Sequence, residues 1–77
     1  MARCKMHHFG YLAAAQLRSG EVQFGLRSAV RAIGLAKALR SMSVRGGLAS
    51  LQEAATARRD SACQDLAREV AKLRRVA

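Results

Sequence analysis

Proline and tryptophan are missing from this 77-residue chain, and carboxylates and aromatic rings are scarce: five acids, two phenylalanines and one tyrosine. Each absence removes a class of protein. Without proline, the punctuation between helices falls to glycine and serine. With three aromatic side chains and many alanines, little large apolar surface is available for burial, so burial barely offsets chain entropy and stabilisation by partners is expected. Few rings also means few platforms for stacking bases. Two cysteines, Cys4 and Cys63, are too few and too far apart for a disulfide framework or a zinc site, so both read as free thiols. No apolar run approaches the ~20 residues needed to span a bilayer; the segment FGYLAAAQL at 9–17, free of charge and histidine, is less than half of that, and no transmembrane span is expected.

The acids are also badly placed for catalysis. Glu21 sits at a helix start and Glu53 in a capping box. Asp65 and Glu69 lie one turn apart among cations, as in surface pairs such as Asp65 with Arg68 and Glu69 with Lys72. Asp60 stands alone, and no glycine-rich phosphate loop follows a strand. The sequence offers no catalytic residue, no cofactor-binding motif and no matched metal-ligand set. The fragment CKMHH places Cys4, His7 and His8 within five residues, but without a second ligand pair it reads as surface histidines on an arm.

What the chain has in excess is positive charge: fourteen Lys and Arg, net +9, eleven of the cations being arginine. Eight of the fourteen lie in residues 1–50 against Glu21 alone. A polyanionic complement is implied, whether nucleic acid, anionic lipid or an acidic protein surface, and the planar guanidinium suits bidentate contact with any of them. The first fifty residues are Arg-rich, Ser-containing and acid-poor, as mitochondrial transit segments are. Mitochondrial residence, inner-membrane-associated or in the matrix, with this segment retained, is the corresponding expectation.

Periodicity predicts an all-α chain: a helical hairpin of two long helices preceded by a short N-terminal helix and an extended N-terminal arm. Residues 1–8 are aperiodic and read as the arm, 9–18 as the short helix, 21–42 as the first long helix, 43–49 as a loop turning through Gly46 and Gly47, and 50–76 as the second long helix. Ser19 or Gly20 is expected to cap the helix over 21–42, and SLQE at 50–53 to open the last one as a capping box. On the narrow face of that last helix Leu51, Ala55, Ala62, Leu66, Leu73 and Ala77 fall together, with Val70 beside them and Cys63 at the edge as a small apolar residue.

The helix over 21–42 carries two apolar sides on a wheel. Val22, Leu26, Ala29, Val30, Ile33 and Ala36 form one, and Phe24, Leu35, Leu39 and Met42 lie roughly opposite. One hairpin partner can cover only one of them, so the second is expected to be a partner interface. Arg27, Arg31, Arg40 and Arg45 are the expected contacts to a polyanion or acidic partner. Gly25 and Gly34, costly in mid-helix, signal either close packing or simple tolerance.

The segment SGEVQFGLRSAVRAI at 19–33 resembles the first helix of a family of small proteins of the small ribosomal subunit, through the step Gly25, Leu26, Arg27 with Arg31 four residues later. The family's following basic, aromatic and proline-bearing segment has no counterpart here. That resemblance implies RNA contact through the arginines. Composition and periodicity instead favour a non-enzymatic accessory subunit of a larger assembly, such as a mitochondrial respiratory-chain or ATP synthase complex. Its partners would be neighbouring subunits and possible anionic lipid headgroups, with a small basic organellar ribosomal protein as the alternative.

Overall fold

A computed structural model of the protein describes residues 2–39 and 47–76. Among them every regular element is helical: α1 (Ala2–Arg18), α2 (Val22–Leu39), α3 (Gly47–Thr56) and α4 (Ser61–Val76). The expected all-α class is what the chain adopts. The helices close a ring of contacts in which α1 packs on α2 and α3, α3 on α4, and α4 back on α2.

Three boundaries differ from expectation: the start of α1, the break within 50–76, and the start of α3, which is helical from Gly47, inside the expected loop over 43–49. Residues 2–8 are the first two turns of α1 and not an extended arm, because Met6 is fully buried in the core and His7 accepts a hydrogen bond from α3. The expected helix over 50–76 is two helices, broken at Ala57–Asp60. The buried face of α3 centres on Leu51 and Ala55, whereas that of α4 centres on Cys63, Leu66, Ala67 and Val70. At 3.6 residues per turn these faces are offset by roughly a third of a turn, so one straight rod cannot bury both. Ala62, expected on the buried face, is exposed, and Ala77 lies outside the described residues.

The break is held by side chains. Asp60 takes the N-cap position of α4, its carbonyl accepting from the Gln64 N–H at 3.0 Å. The Gln64 side-chain amide donates to the carbonyls of Thr56, at 3.4 Å, and of Arg58. The Arg58 guanidinium donates from Nε to the Asp60 carboxylate at 2.7 Å and from Nη1 to the Leu17 carbonyl at 3.0 Å, tying the loop to the C-terminal end of α1. A cation there also meets the negative end of the helix dipole.

The connection between α1 and α2 is a Schellman turn. Gly20 adopts a positive φ of 87°, its N–H donates to the Leu17 carbonyl at 3.1 Å, and the Glu21 N–H donates to Gln16 at 2.8 Å. Gly20 therefore ends α1 and does not begin α2. Glu21 occupies the N-cap of α2, its carbonyl accepting from Gly25 at 2.9 Å. Nor does Ser50 cap α3: that helix already runs from Gly47, and Glu53 instead points to Arg18 at 3.9 Å, an exposed pair of small energetic value.

Alanine supplies half of the buried apolar side chains, among them Ala13, Ala14, Ala29 and Ala32, around fully buried Met6, Leu17, Leu48, Leu51, Cys63 and Val70. Small side chains let the backbones approach. The closest approach is between α1 and α3, where a Cβ on Gly10 would sit 2.6–2.8 Å from the backbone of Gly47. The glycines within α2 divide in the same terms. A Cβ at Gly25 would meet the Leu17 side chain at 2.7 Å, so its absence serves packing, whereas nothing lies within 4 Å of one at Gly34. Gly34→Ala is therefore expected to stabilise the chain by about 0.5–1 kcal/mol through the lower backbone entropy of the unfolded state, measurable as a higher denaturant midpoint at unchanged slope.

Candidate docking face

The α1–α2 hairpin places a set of side chains on its outer seam. Gln16 of α1 accepts a hydrogen bond from the Ser28 hydroxyl of α2 at 2.8 Å, fixing which flank of each helix faces the other. On the solvent side of that bond Phe9 is half-buried, Phe24 is 54% exposed and Leu12 is 37% exposed. Both phenylalanine rings carry an arginine: Arg31 of α2 reaches across to Phe9 of α1, its guanidinium carbon 5.4 Å from the ring centroid, and Arg27 lies 5.9 Å from the centroid of Phe24, three positions before it. Both separations fall within cation–π range. His8 meets Phe9 edge-on at 5.4 Å.

The charge environment of this seam is one-sided. Among the described residues neither Arg27 nor Arg31 has a carboxylate within ion-pair distance. The ion pairs formed among the described residues are Arg18–Glu53, Arg58–Asp60 and Arg68–Asp65, all involving α3, α4 or the loop between them. Of the two pairs expected in the last helix, Asp65 with Arg68 forms, at 3.6 Å. Glu21 is the only acid in α1, α2 or their turn. The groove between α3 and α4 contrasts with it: Asp65, Arg68, Glu69, Lys72 and Arg75 line it with both signs, and Arg74 donates across it to Gln52 at 2.6 Å.

The residues expected at a partner interface are distributed as follows. Phe24 is exposed on the α1-facing flank of α2, and Leu35 is half-buried against the core, so the two lie on a shoulder of the buried face and not opposite it. Val30, expected on the core stripe, is 69% exposed, and the buried face is the small-residue one of Gly25, Ser28, Ala29, Ala32, Ile33 and Ala36. Arg27 and Arg31 are exposed on the seam. Arg40, Met42 and Arg45 lie outside the described residues, as does the side chain of Leu39. Sequence reasoning missed Phe9 and Leu12, because their neighbourhood was assigned to a short helix and an arm. The signal was available: Met6, Gly10, Ala13, Ala14 and Leu17 recur at three- and four-residue steps and form the buried stripe.

Elsewhere, His7 and Cys63 are committed to structure. The Nδ1 of His7 accepts from the Gly47 N–H at 3.2 Å, and Cys4 and His8 are exposed on α1. Cys63 is buried, its sulfur 3.8 Å from the Asp60 carboxylate. Burial chiefly, with the neighbouring carboxylate adding to it and Arg58 opposing, pushes its thiol pKa up from the usual 9.0. A folded state that holds the thiol protonated loses stability where the unfolded chain ionises it. The contribution is complete below pH 9.0 and falls away as pH rises through the folded value. Wild type is therefore expected to lose stability above that pH more steeply than Cys63→Ala, a difference read from denaturant midpoints across an alkaline series.

No helix among the described residues is long and apolar enough to cross a membrane, and no cluster of three or more His, Cys, Asp or Glu side chains is placed to hold a metal ion. The chain matches no protein-family model, no curated protein and no solved structure. The ribosomal likeness of residues 19–33 thus stays confined to those fifteen residues.

Proposed function

We propose that the protein is a non-enzymatic structural subunit of a larger assembly, docking through the outer seam of α1 and α2. The observation that carries this reading is the pairing of two part-exposed phenylalanines with two arginines that have no carboxylate partner of their own. Aromatic residues and arginine are the side chains enriched where protein interfaces derive their binding energy. Stacking also holds each guanidinium in place before a partner arrives, which lowers the entropic cost of ordering it on binding. Residence in a mitochondrial complex of the inner membrane or matrix rests on the acid-poor, arginine-rich first fifty residues.

The second reading is a small basic RNA-binding protein of the organellar ribosome, favoured by Arg27 and Arg31 standing one turn apart on an exposed flank. Both are tested by purifying the tagged full chain from its own cells with and without nuclease, at rising salt. A structural subunit is expected to hold a fixed set of protein partners after nuclease treatment. Loss of all partners with the RNA would overturn that reading in favour of the second.

A further inference from the structure

We infer that the partner segment received by the α1–α2 seam is an acidic amphipathic helix, its carboxylates on Arg27 and Arg31 and its apolar side chains against Leu12 and the open edge of Phe24. This rests on the docking reading above and names the chemistry of its partner.

Charge selects the occupant. The seam presents Arg27 and Arg31 without a neutralising acid, and Lys5 lies one turn before Phe9 on the same flank of α1. A second copy docked by the same seam would bring the same cations to the contact, and its α3–α4 face, where Asp65 and Glu69 stand among Arg68, Lys72 and Arg75, would bring cations beside every acid; like charges brought together suppress association. The occupant must therefore carry negative charge.

The rings decide between nucleic acid and protein. Single-stranded nucleic acid gains much of its affinity by stacking bases on exposed aromatic faces. Here a guanidinium of the chain itself already lies over each ring, at 5.4 Å on Phe9 and 5.9 Å on Phe24. On that face a base would have to displace it. A carboxylate leaves the cation–π contact intact, because guanidinium N–H groups turned away from the ring stay open to it. Phosphate oxygens could use that edge too, but a phosphate backbone has nothing to place on Leu12 or on the exposed part of Phe24. An amphipathic helix has both kinds of group. Its residues four apart advance about 6 Å, the same rise as between the backbones of Arg27 and Arg31, and since their guanidinium groups are carried to different rings, carboxylates on successive turns of one flank are what reach both.

The probe is a designed peptide of about 18 residues with glutamates at i and i+4 and leucines along one flank, titrated into the purified full chain and followed by fluorescence anisotropy. Saturable binding is expected, weakening with salt. Reversing both arginines (Arg27→Glu with Arg31→Glu) is expected to cost about tenfold or more in affinity. A peptide with lysines replacing its glutamates should bind the reversed chain better than it binds wild type. The milder pair Arg27→Gln and Arg31→Gln, with helicity checked by circular dichroism, gives the same comparison if the reversed chain does not fold. Tighter binding of a single-stranded RNA oligomer or of anionic lipid vesicles than of the acidic peptide would overturn the inference, and so would peptide affinity indifferent to these arginines. In the purification from cells, equal protein recovery by wild type and the arginine pair sinks this inference while leaving the docking reading intact. Recovery of no protein by either chain sinks the reading itself.

Discussion

Replacing Gly10 with alanine is expected to destabilise the protein by about 1–3 kcal/mol, and Gly10→Val by more. The added Cβ would meet the carbonyl carbon, oxygen and Cα of Gly47 at 2.6, 2.7 and 2.8 Å. All three are backbone atoms, so no rotamer change can make room. The reverse contact is equally tight, since a Cβ on Gly47 would lie 2.6 Å from the His7 carbonyl oxygen and 2.7 Å from the His7 Cα. Relief requires α1 and α3 to separate, which also removes the hydrogen bond from the Gly47 N–H to His7 Nδ1. Domains of this size have a total stability on the order of 4–12 kcal/mol, and each 1 kcal/mol moves the melting temperature by roughly 4–8 °C. The valine variant is therefore expected to be largely unfolded near body temperature. Thermal melts of Gly10→Ala and Gly34→Ala side by side check the argument, because the same substitution should lower the midpoint at one position and raise it at the other.

The second large effect is at Met6. Met6→Ala is expected to cost about 2–5 kcal/mol, the range for emptying a fully buried aliphatic site. Its side chain has no solvent exposure and belongs to the same core as Leu17, Leu48 and Leu51. Were residues 1–8 a solvated arm, the change would fall within about 0.5 kcal/mol of zero. Denaturant titration separates these outcomes cleanly, and Lys5→Ala, one residue away and exposed, supplies the control.

Both positions mark where the sequence is hard to read. The all-helical class, the body of α2 and the apolar character of Cys63 were legible, because they follow from local composition and period. The helical start of α1 was not. MARCKMHH has weak periodicity by itself, and only contact with α3 reveals that Met6 and His7 point inward. The break at Ala57–Asp60 was hidden for a related reason: glutamine, alanine and arginine favour helix on both sides, and an offset of roughly a third of a turn between the faces of α3 and α4 blurs into one broad stripe on a wheel. Asp60 before Ser61 was the available clue to a new N-terminus, but SLQE offered a more complete local signature ten residues earlier, and α3 had already begun there. The Gly10–Gly47 crossing joins residues far apart in sequence, so no local pattern encodes it.

The seam was half legible. Phe24, Arg27 and Arg31 emerge from the wheel of α2 alone, while Phe9 and Leu12 join them only when α1 lies alongside. The wheel also overstated the second apolar side, because Leu35 packs against the core instead of facing a partner. What the seam presents is smaller and more specific than an apolar stripe: two part-exposed rings, each with a guanidinium in cation–π range, and one leucine, while Tyr11 and Val30 are exposed as well.

Site-specific photo-crosslinking in the native assembly reaches this surface without disturbing it. A photoreactive residue in place of Leu12, on the seam, is compared with one in place of Asp65, in the mixed-charge groove between α3 and α4. Protein adducts are expected from position 12 in markedly higher yield than from position 65, and they should map to a glutamate- or aspartate-rich helical segment of one partner. Adducts from position 12 to RNA or lipid alone, or equal protein yields from both positions, would show that the α1–α2 seam is not where this protein docks.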